Sequence, residues 1–192
     1  MQELSTHDRL LAAARDLFLE VGPVAFSLRE VARRTELTAA AVYRHFDGKE
    51  ALLAAVCEEG FRAFGSYLMA ALKAKSPRAR LMTTGDQYLR FALERQRDYR
   101  VIFMSEVPAG TKMDPDSLPP TFAFLVDRVR ECIDSGDLRA GDPMEMAVTI
   151  WAHVHGLASL RISGHFQNVG DDDAFRKIYT RSVAVLLEGL SP

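Results

Sequence analysis

The sequence predicts an all-α protein with three N-terminal helices followed by six more. Three observations lead to this fold class. Apolar residues recur at helical spacing along most of the 192 residues, strict alternation of polar and apolar residues is scarce, and Gly and Pro fall between the periodic segments. Because 48% of the residues are hydrophobic, the chain can bury a substantial core in one or two domains.

The N-terminal quarter contains the most specific pattern. A first helix is predicted over residues 10–22, LLAAARDLFLEVG, and residues 27–46, SLREVARRTELTAAAVYRHF, predict two short helices joined by a turn at 35–37. Ser27 and Glu30 have the spacing of a capping box, and Thr38 is the expected N-cap of the second short helix. Such a helix-turn-helix places its second helix in the major groove of DNA.

The two faces of this segment differ in character. The residues expected to face inward are apolar: Leu28, Val31, Ala32, Leu37, Val42 and Phe46. Those expected to face a partner are mostly basic, polar or small: Arg29, Arg33, Arg34, Thr38, Ala39, Ala40, Tyr43, Arg44 and His45.

With its flanks, the segment resembles the DNA-binding domain of the TetR family of bacterial transcriptional regulators. The resemblance spans residues 10–53 and includes the tail YRHFDGKEALL, which is similar to the end of the family's recognition helix and the start of its fourth helix. It implies a DNA-binding domain at residues 1–47 and an effector-binding and dimerisation domain at 48–192. It also implies a homodimer on a palindromic, double-stranded DNA operator.

By this resemblance, Tyr43 and Lys49 contact DNA phosphate, and Arg44 contacts phosphate or bases. Thr38 and the alanines that follow it suit the methyl groups of thymine. The full set of expected DNA-binding residues is Ser27, Arg29, Thr38, Ala39, Ala40, Tyr43, Arg44, His45 and Lys49. The chain departs from the family at Glu36, where Gly is common; a left-handed backbone there costs about 1 kcal/mol, so we expect Glu36 to point away or the turn to differ.

Six helices are predicted beyond this domain. Their approximate ranges are 48–74 with Asp47 as the cap, 76–97, 99–105, 121–134, 142–163 and 173–189, and a Pro-rich loop is predicted at 107–120. The last two helices correspond to those that pair in the dimers of the family.

Within the eighth helix, the run WAHVHGL at residues 151–157 resembles a TetR subgroup sometimes called WHG. Trp151 and His155, four residues apart, share a helix face. They either pack in the core or line an effector pocket. In the second case the expected ligand-binding residues are Tyr88, Phe91, Tyr99, Phe103, Met104, Phe122, Trp151 and His155.

Several other functions are excluded by the sequence. Cys57 and Cys132 have no metal-ligand spacing, and no nucleophile–base pair or cofactor fingerprint is present, so we expect no enzyme, metal site or cofactor. The net charge of −2 is compatible with DNA binding because the basic residues cluster locally. No apolar run suits a membrane span or signal peptide, which indicates a cytoplasmic, nucleoid-associated protein.

The sequence thus favours a ligand-responsive regulator, most simply a repressor released by a small hydrophobic effector. The alternative is a DNA-bound regulator that is controlled by a protein partner and has no small effector.

Overall fold

The computed structural model describes residues 5–105 and 118–192, and this part of the chain is all-α, as predicted. Its α-helices are α1 (Thr6–Ala25), α2 (Leu28–Arg34), α3 (Ala39–Tyr43), α4 (Lys49–Leu68), α5 (Pro77–Glu94), α6 (Gln96–Tyr99), α7 (Pro120–Asp134), α8 (Pro143–Ile162) and α9 (Asp172–Gly189). No helix within these ranges is long and apolar enough to cross a membrane.

The helices pack into two compact units. The first contains the described residues up to Arg62 together with 97–105, and the second contains Ala63–Gln96 and the residues from Leu118 onward. The domain boundary predicted at residues 47 and 48 stays a prediction, since it concerns function as well as packing.

The core of the first unit is built by the apolar stripe of α1 against α2 and α3. Every residue of the helix-turn-helix expected to face inward is buried except Leu37, which is half-buried. α1 extends further than predicted, but Gly22 has a φ of 69° and interrupts its helical geometry just before Pro23. Glycine adopts this conformation without the steric cost that a side chain would add.

Thr38 caps the start of α3 as predicted, and α5, α8 and α9 also begin with side-chain caps. Thr38, Ser76, Asp142 and Asp171 each accept a hydrogen bond from a backbone N–H of the first turn that follows, at 2.8–3.2 Å. These bonds satisfy donors that the helix itself leaves without partners.

The predicted capping box at Ser27 was wrong. Ser27 stands immediately before α2, but its side chain makes no capping hydrogen bond. The carboxylate of Glu30 accepts instead from the guanidinium groups of Arg33 and Arg34. In these bonds both partners are charged, and the bidentate geometry of the Arg33–Glu30 pair adds to its strength.

The predicted Asp47 cap was also wrong, because α4 begins at Lys49 and Gly48 is the residue before it. Gly48 has a φ of 107°, and its carbonyl accepts from the amide of Leu52 at 3.2 Å. α4 ends at Leu68 and continues as a 3₁₀ segment, Met69–Lys73.

The predicted fifth helix is divided into α5 and α6, and a π-helical segment follows over Arg100–Met104. The predicted loop lies outside the described residues over 107–117, and Pro120 already belongs to α7.

In the second unit, α5, α7, α8 and α9 enclose a core. Its fully buried large side chains include Leu89, Phe91, Val129, Phe175, Tyr179 and Leu187. The hydroxyl of Tyr179 donates to the carbonyl of Gly85 at 2.8 Å and so joins α9 to α5.

Candidate nucleic-acid interface

The turn between α2 and α3 is a complete Schellman motif. The amide of Leu37 donates to the carbonyl of Ala32 at 2.9 Å, and that of Glu36 donates to the carbonyl of Arg33 at 3.2 Å. Glu36 has a φ of 57°, in the left-handed region. It is the only residue other than Gly with positive φ in the described ranges. The turn therefore keeps the geometry that a glycine would give it, with Glu in the strained position.

α3 presents a small surface with few hydrogen-bonding groups. Thr38, Ala39 and Ala40 are exposed at its start, and Tyr43 and Arg44 are exposed at its end. All residues of the helix-turn-helix that were expected to face a partner are exposed, whereas Ser27 and Lys49 are half-buried. Their contacts with DNA stay predictions.

An ion-pair network joins α1 to α2 beside this surface. The guanidinium of Arg33 donates to both carboxylate oxygens of Glu30, at 2.8 and 2.7 Å. Arg34 donates to Glu30 at 3.0 Å and to both oxygens of Glu20 at 2.9 and 2.6 Å. The hydrogen bonds from Arg33 and Arg34 lower the pKa of Glu30 to about 2.

The expected basic face therefore has two kinds of cation. Arg33 and Arg34 already have carboxylate partners, while Arg29, Arg44 and Lys49 make no ion pair within residues 5–105 and 118–192. This division was not predicted from the sequence. The signal for part of it was present, because Glu30 lies three and four residues before the two arginines and such pairs meet on a helix surface.

The helix-turn-helix is held in place from α1. Arg9 donates to the carbonyl of Thr35 at 2.7 Å, which fixes the end of α2. The ring of His7 lies 5.1 Å from that of Phe46 and 6.4 Å from that of His45.

A segment from the middle of the chain completes the first unit. Arg15 on α1 donates to Asp98 on α6 at 2.7 Å, and the side chain of Asp98 is only 5% exposed. Arg97 pairs with Asp16 at 3.0 Å in a more exposed position. A Cβ atom added to Gly60 on α4 would lie 2.7 Å from Ile102, so this glycine allows the π-helical segment to approach closely.

Comparison with known proteins agrees with this architecture. Residues 10–56 match the model of bacterial regulatory proteins of the tetR family, and residues 81–186 match the tetracyclin repressor-like C-terminal domain. The chain belongs to the TetR family. This TetR-family protein is therefore a DNA-binding transcriptional regulator and not an enzyme.

Among curated proteins, this TetR-family chain is 26% identical to the HTH-type transcriptional regulator RutR of Escherichia coli, over 95% of the chain and 89% of RutR. It is 38% identical to the HTH-type transcriptional repressor Rv3405c of Mycobacterium tuberculosis, over 35% of the chain and 34% of that protein. Among solved structures, the TetR-family regulator PfmR of Thermus thermophilus has 20% identity and a TM-score of 0.72, covering 96% of this chain and all of PfmR.

The second unit of this TetR-family regulator contains an aromatic cluster. The hydroxyl of Tyr88 and Nδ1 of His155 share a hydrogen bond of 2.9 Å, and the ring of Trp151 lies 5.5 Å from that of His155. Phe122 meets Trp151 edge to face at 5.8 Å. Burial lowers the pKa of His155, which favours the neutral imidazole.

The eight residues expected to bind an effector are divided between the two units. Five belong to the second unit: Tyr88, Phe91, Phe122, Trp151 and His155. Tyr99, Phe103 and Met104 belong to the first. Their role in binding a ligand stays a prediction.

Proposed function

We propose that this TetR-family protein is a cytoplasmic repressor. It binds a palindromic operator as a homodimer and leaves the DNA when a small hydrophobic effector binds. The observation that carries the proposal is the exposed surface of the helix-turn-helix, with Thr38, Ala39 and Ala40 at the front of α3. Arg29, Arg44 and Lys49 make no ion pair with any described residue and add positive charge to it. Repression is also supported by the similarity to Rv3405c, a protein named as a repressor.

The division of labour on this surface follows from its chemistry. Arg29, Arg44 and Lys49 carry charge for phosphate contacts, which give affinity without sequence information. Ala methyl groups read the thymine methyl by apolar contact, and a Thr hydroxyl bonds a base edge or a phosphate. Because α3 has few polar side chains, part of the specificity comes from DNA shape.

Homodimerisation is supported by the outer faces of α8 and α9. Val148 on α8 and both Ile178 and Val185 on α9 are large hydrophobic residues with about half of their surface exposed or more, and Val185 is 62% exposed. On α8, a Cβ atom added to Gly156 would meet nothing within 4 Å, which leaves room for another helix. A second copy would cover these residues and place two recognition helices on half-sites about 34 Å apart.

The effector proposal rests on the aromatic cluster around His155. Its rings would contact an apolar ligand, and the Tyr88–His155 pair offers one polar group for orientation. The arrangement of Trp151, His155 and Gly156 also supports membership of the WHG subgroup. The second candidate function, control by a protein partner, uses the same DNA face but needs no small ligand.

DNA binding is tested by incubating the purified protein with random and genomic duplex fragments at physiological salt and sequencing those retained. Enrichment of an inverted repeat supports the dimeric regulator. Retention without sequence preference contradicts the operator proposal. A compound that raises the melting temperature and weakens binding to the enriched repeat distinguishes effector control from partner control.

The dimer is tested with Val185→Glu, measured by sedimentation velocity. The expected result is a monomer with weaker operator binding, because the substitution would bury a charge in the subunit interface. Leu72→Glu is the matched control, since it puts the same charge on an exposed leucine of the 3₁₀ segment. Val185→Glu sedimenting as an intact dimer would exclude α9 from the interface.

A further inference from the structure

The carboxylate of Glu30 is the centre of the ion-pair network beside the DNA-binding surface. It binds Arg33 through two hydrogen bonds and Arg34 through one. The bond from Arg34 to Glu30 uses Nε, and the two terminal nitrogens of Arg34, Nη1 and Nη2, donate to Glu20. All three guanidinium nitrogens of Arg34 are therefore engaged by carboxylates, and so are two of those of Arg33.

The exposure of these groups makes the arrangement informative. The side chain of Arg33 is 73% exposed, so burial does not explain its pairing with Glu30. An exposed arginine beside a DNA-binding helix would ordinarily be available to phosphate. Here the two arginine charges are cancelled by those of Glu20 and Glu30.

The consequence for DNA binding concerns affinity that is independent of sequence. Every cation that meets a phosphate raises the affinity for all DNA sequences alike. A phosphate that recruited Arg33 or Arg34 would have to displace a carboxylate in bidentate or bridging geometry. Arg29, Arg44 and Lys49 require no such displacement.

We propose that Glu30 is an affinity-limiting residue, which holds Arg33 in a bidentate ion pair, shares Arg34 with Glu20, and so limits the sequence-independent affinity of this helix-turn-helix for DNA. The inference rests on the proposed DNA face. Glu30 acts through the two arginines and does not itself contact DNA.

The test is Glu30→Gln, which keeps the shape of the side chain and removes its charge. Dissociation constants are measured for the enriched repeat and for a random duplex of equal length, at several salt concentrations. Arg33 loses its carboxylate partner in this variant, whereas Arg34 keeps Glu20. At 0.15 M salt, the release of Arg33 is expected to raise the affinity for the random duplex about fivefold. The slope of log K against log salt is expected to steepen by about 0.9 for both duplexes, and the preference for the repeat should stay unchanged.

Two further variants make the result specific. Glu58→Gln breaks the exposed Glu58–Arg62 pair on α4, so it makes the same charge change outside the helix-turn-helix. Arg33→Ala in the natural background is expected to leave the salt slope unchanged. Combined with Glu30→Gln, it is expected to reverse the steepening, because Arg33 is the arginine that Glu30→Gln releases. Arg33→Ala keeps the Glu20–Arg34 and Glu30–Arg34 pairs. Its salt slope therefore still tests the proposal if Glu30→Gln folds poorly.

The outcomes separate the two proposals. If the natural protein binds neither duplex, the proposed function fails. If it binds the repeat but Glu30→Gln has the same salt slope as Glu58→Gln, Glu30 does not restrain the arginines and the inference is overturned. A lower slope for Arg33→Ala alone would also overturn it, because Arg33 would then be a phosphate contact.

Discussion

Glu36→Gly is expected to stabilise the folded protein, although it removes a side chain. Glu36 occupies the left-handed position of the turn between α2 and α3, with a φ of 57°. Its amide and that of Leu37 both donate to carbonyls of α2, so the turn is fixed by hydrogen bonds. The backbone therefore holds a conformation that disfavours any residue with a Cβ atom.

The magnitude is the difference between two effects. Relief of the left-handed conformation contributes about 1–2 kcal/mol to the free energy of unfolding. The greater freedom of glycine in the unfolded chain costs about 0.4–1 kcal/mol. Between the midpoints of these ranges, the net gain is about 0.8 kcal/mol, which corresponds to a rise of about 2–3 °C in melting temperature for a chain of this size.

The chain offers a matched control at the end of α7. Gly136 occupies the equivalent position of a second Schellman motif, with a φ of 77°, and a Cβ atom added there would meet nothing within 4 Å. Gly136→Ala is therefore expected to lower the melting temperature by a similar amount. Glu36→Ala distinguishes the effect of backbone conformation on stability from the effect of charge, because it removes the carboxylate and keeps the Cβ atom.

The assay is thermal unfolding followed by circular dichroism, with the four proteins in one buffer. Glu36→Gly should melt above the natural protein, and Glu36→Ala should not match that gain. Equal stabilisation by Glu36→Ala and Glu36→Gly would refute the backbone argument and assign the effect to charge.

Two further predictions concern buried polar groups. Asp98→Asn leaves Arg15 without its buried counter-charge and is expected to lower the free energy of unfolding by about 2–4 kcal/mol. Asp16→Asn, in the more exposed Arg97–Asp16 pair, should lower it by less than about 1 kcal/mol. Equal losses for the two variants in urea unfolding would contradict the role of burial. Because burial lowers the pKa of His155, its neutral form favours folding, and the stability it contributes is present above pH 6.5 and lost as the pH falls from 6.5 through the lowered value. A pH titration of Trp151 fluorescence should have a midpoint below 6.5 that disappears in His155→Gln, and a midpoint at or above 6.5 would contradict this prediction.

Features of the fold that depend on residues close together in the sequence were the easiest to predict. The start of α8 at Pro143 with Asp142 as its cap, and the end of α7 before Gly136, were both predictable, because caps and turns depend on residues within one helical turn. The same rules failed at Ser27 and Asp47. At Ser27, Glu30 had stronger partners in the arginines, and at Asp47, the helix began one residue later than its expected cap allows.

The candidate site followed the same division. The exposed face of α3 was predictable from helical periodicity, since residues on one side of a helix recur at fixed spacing. On α2, the pairing of Arg33 with Glu30 follows from their spacing in the sequence. The pairing of Arg34 with Glu20 does not, because Glu20 lies on a different helix and only packing brings the two side chains within 2.6 Å. Whether Arg34 is available to DNA is therefore a tertiary property.

The sequence by itself determined the all-α class, the helix-turn-helix and the family, because these depend on local periodicity, capping and contiguous motifs. Only the tertiary structure decided that residues 97–105 pack with the first helices, through the buried Arg15–Asp98 pair. It also decided that Arg34, one of the expected DNA-facing cations, is paired with Glu20 on another helix. Both facts depend on contacts between side chains far apart in the chain, and their energies come from burial and charge geometry that no local pattern encodes.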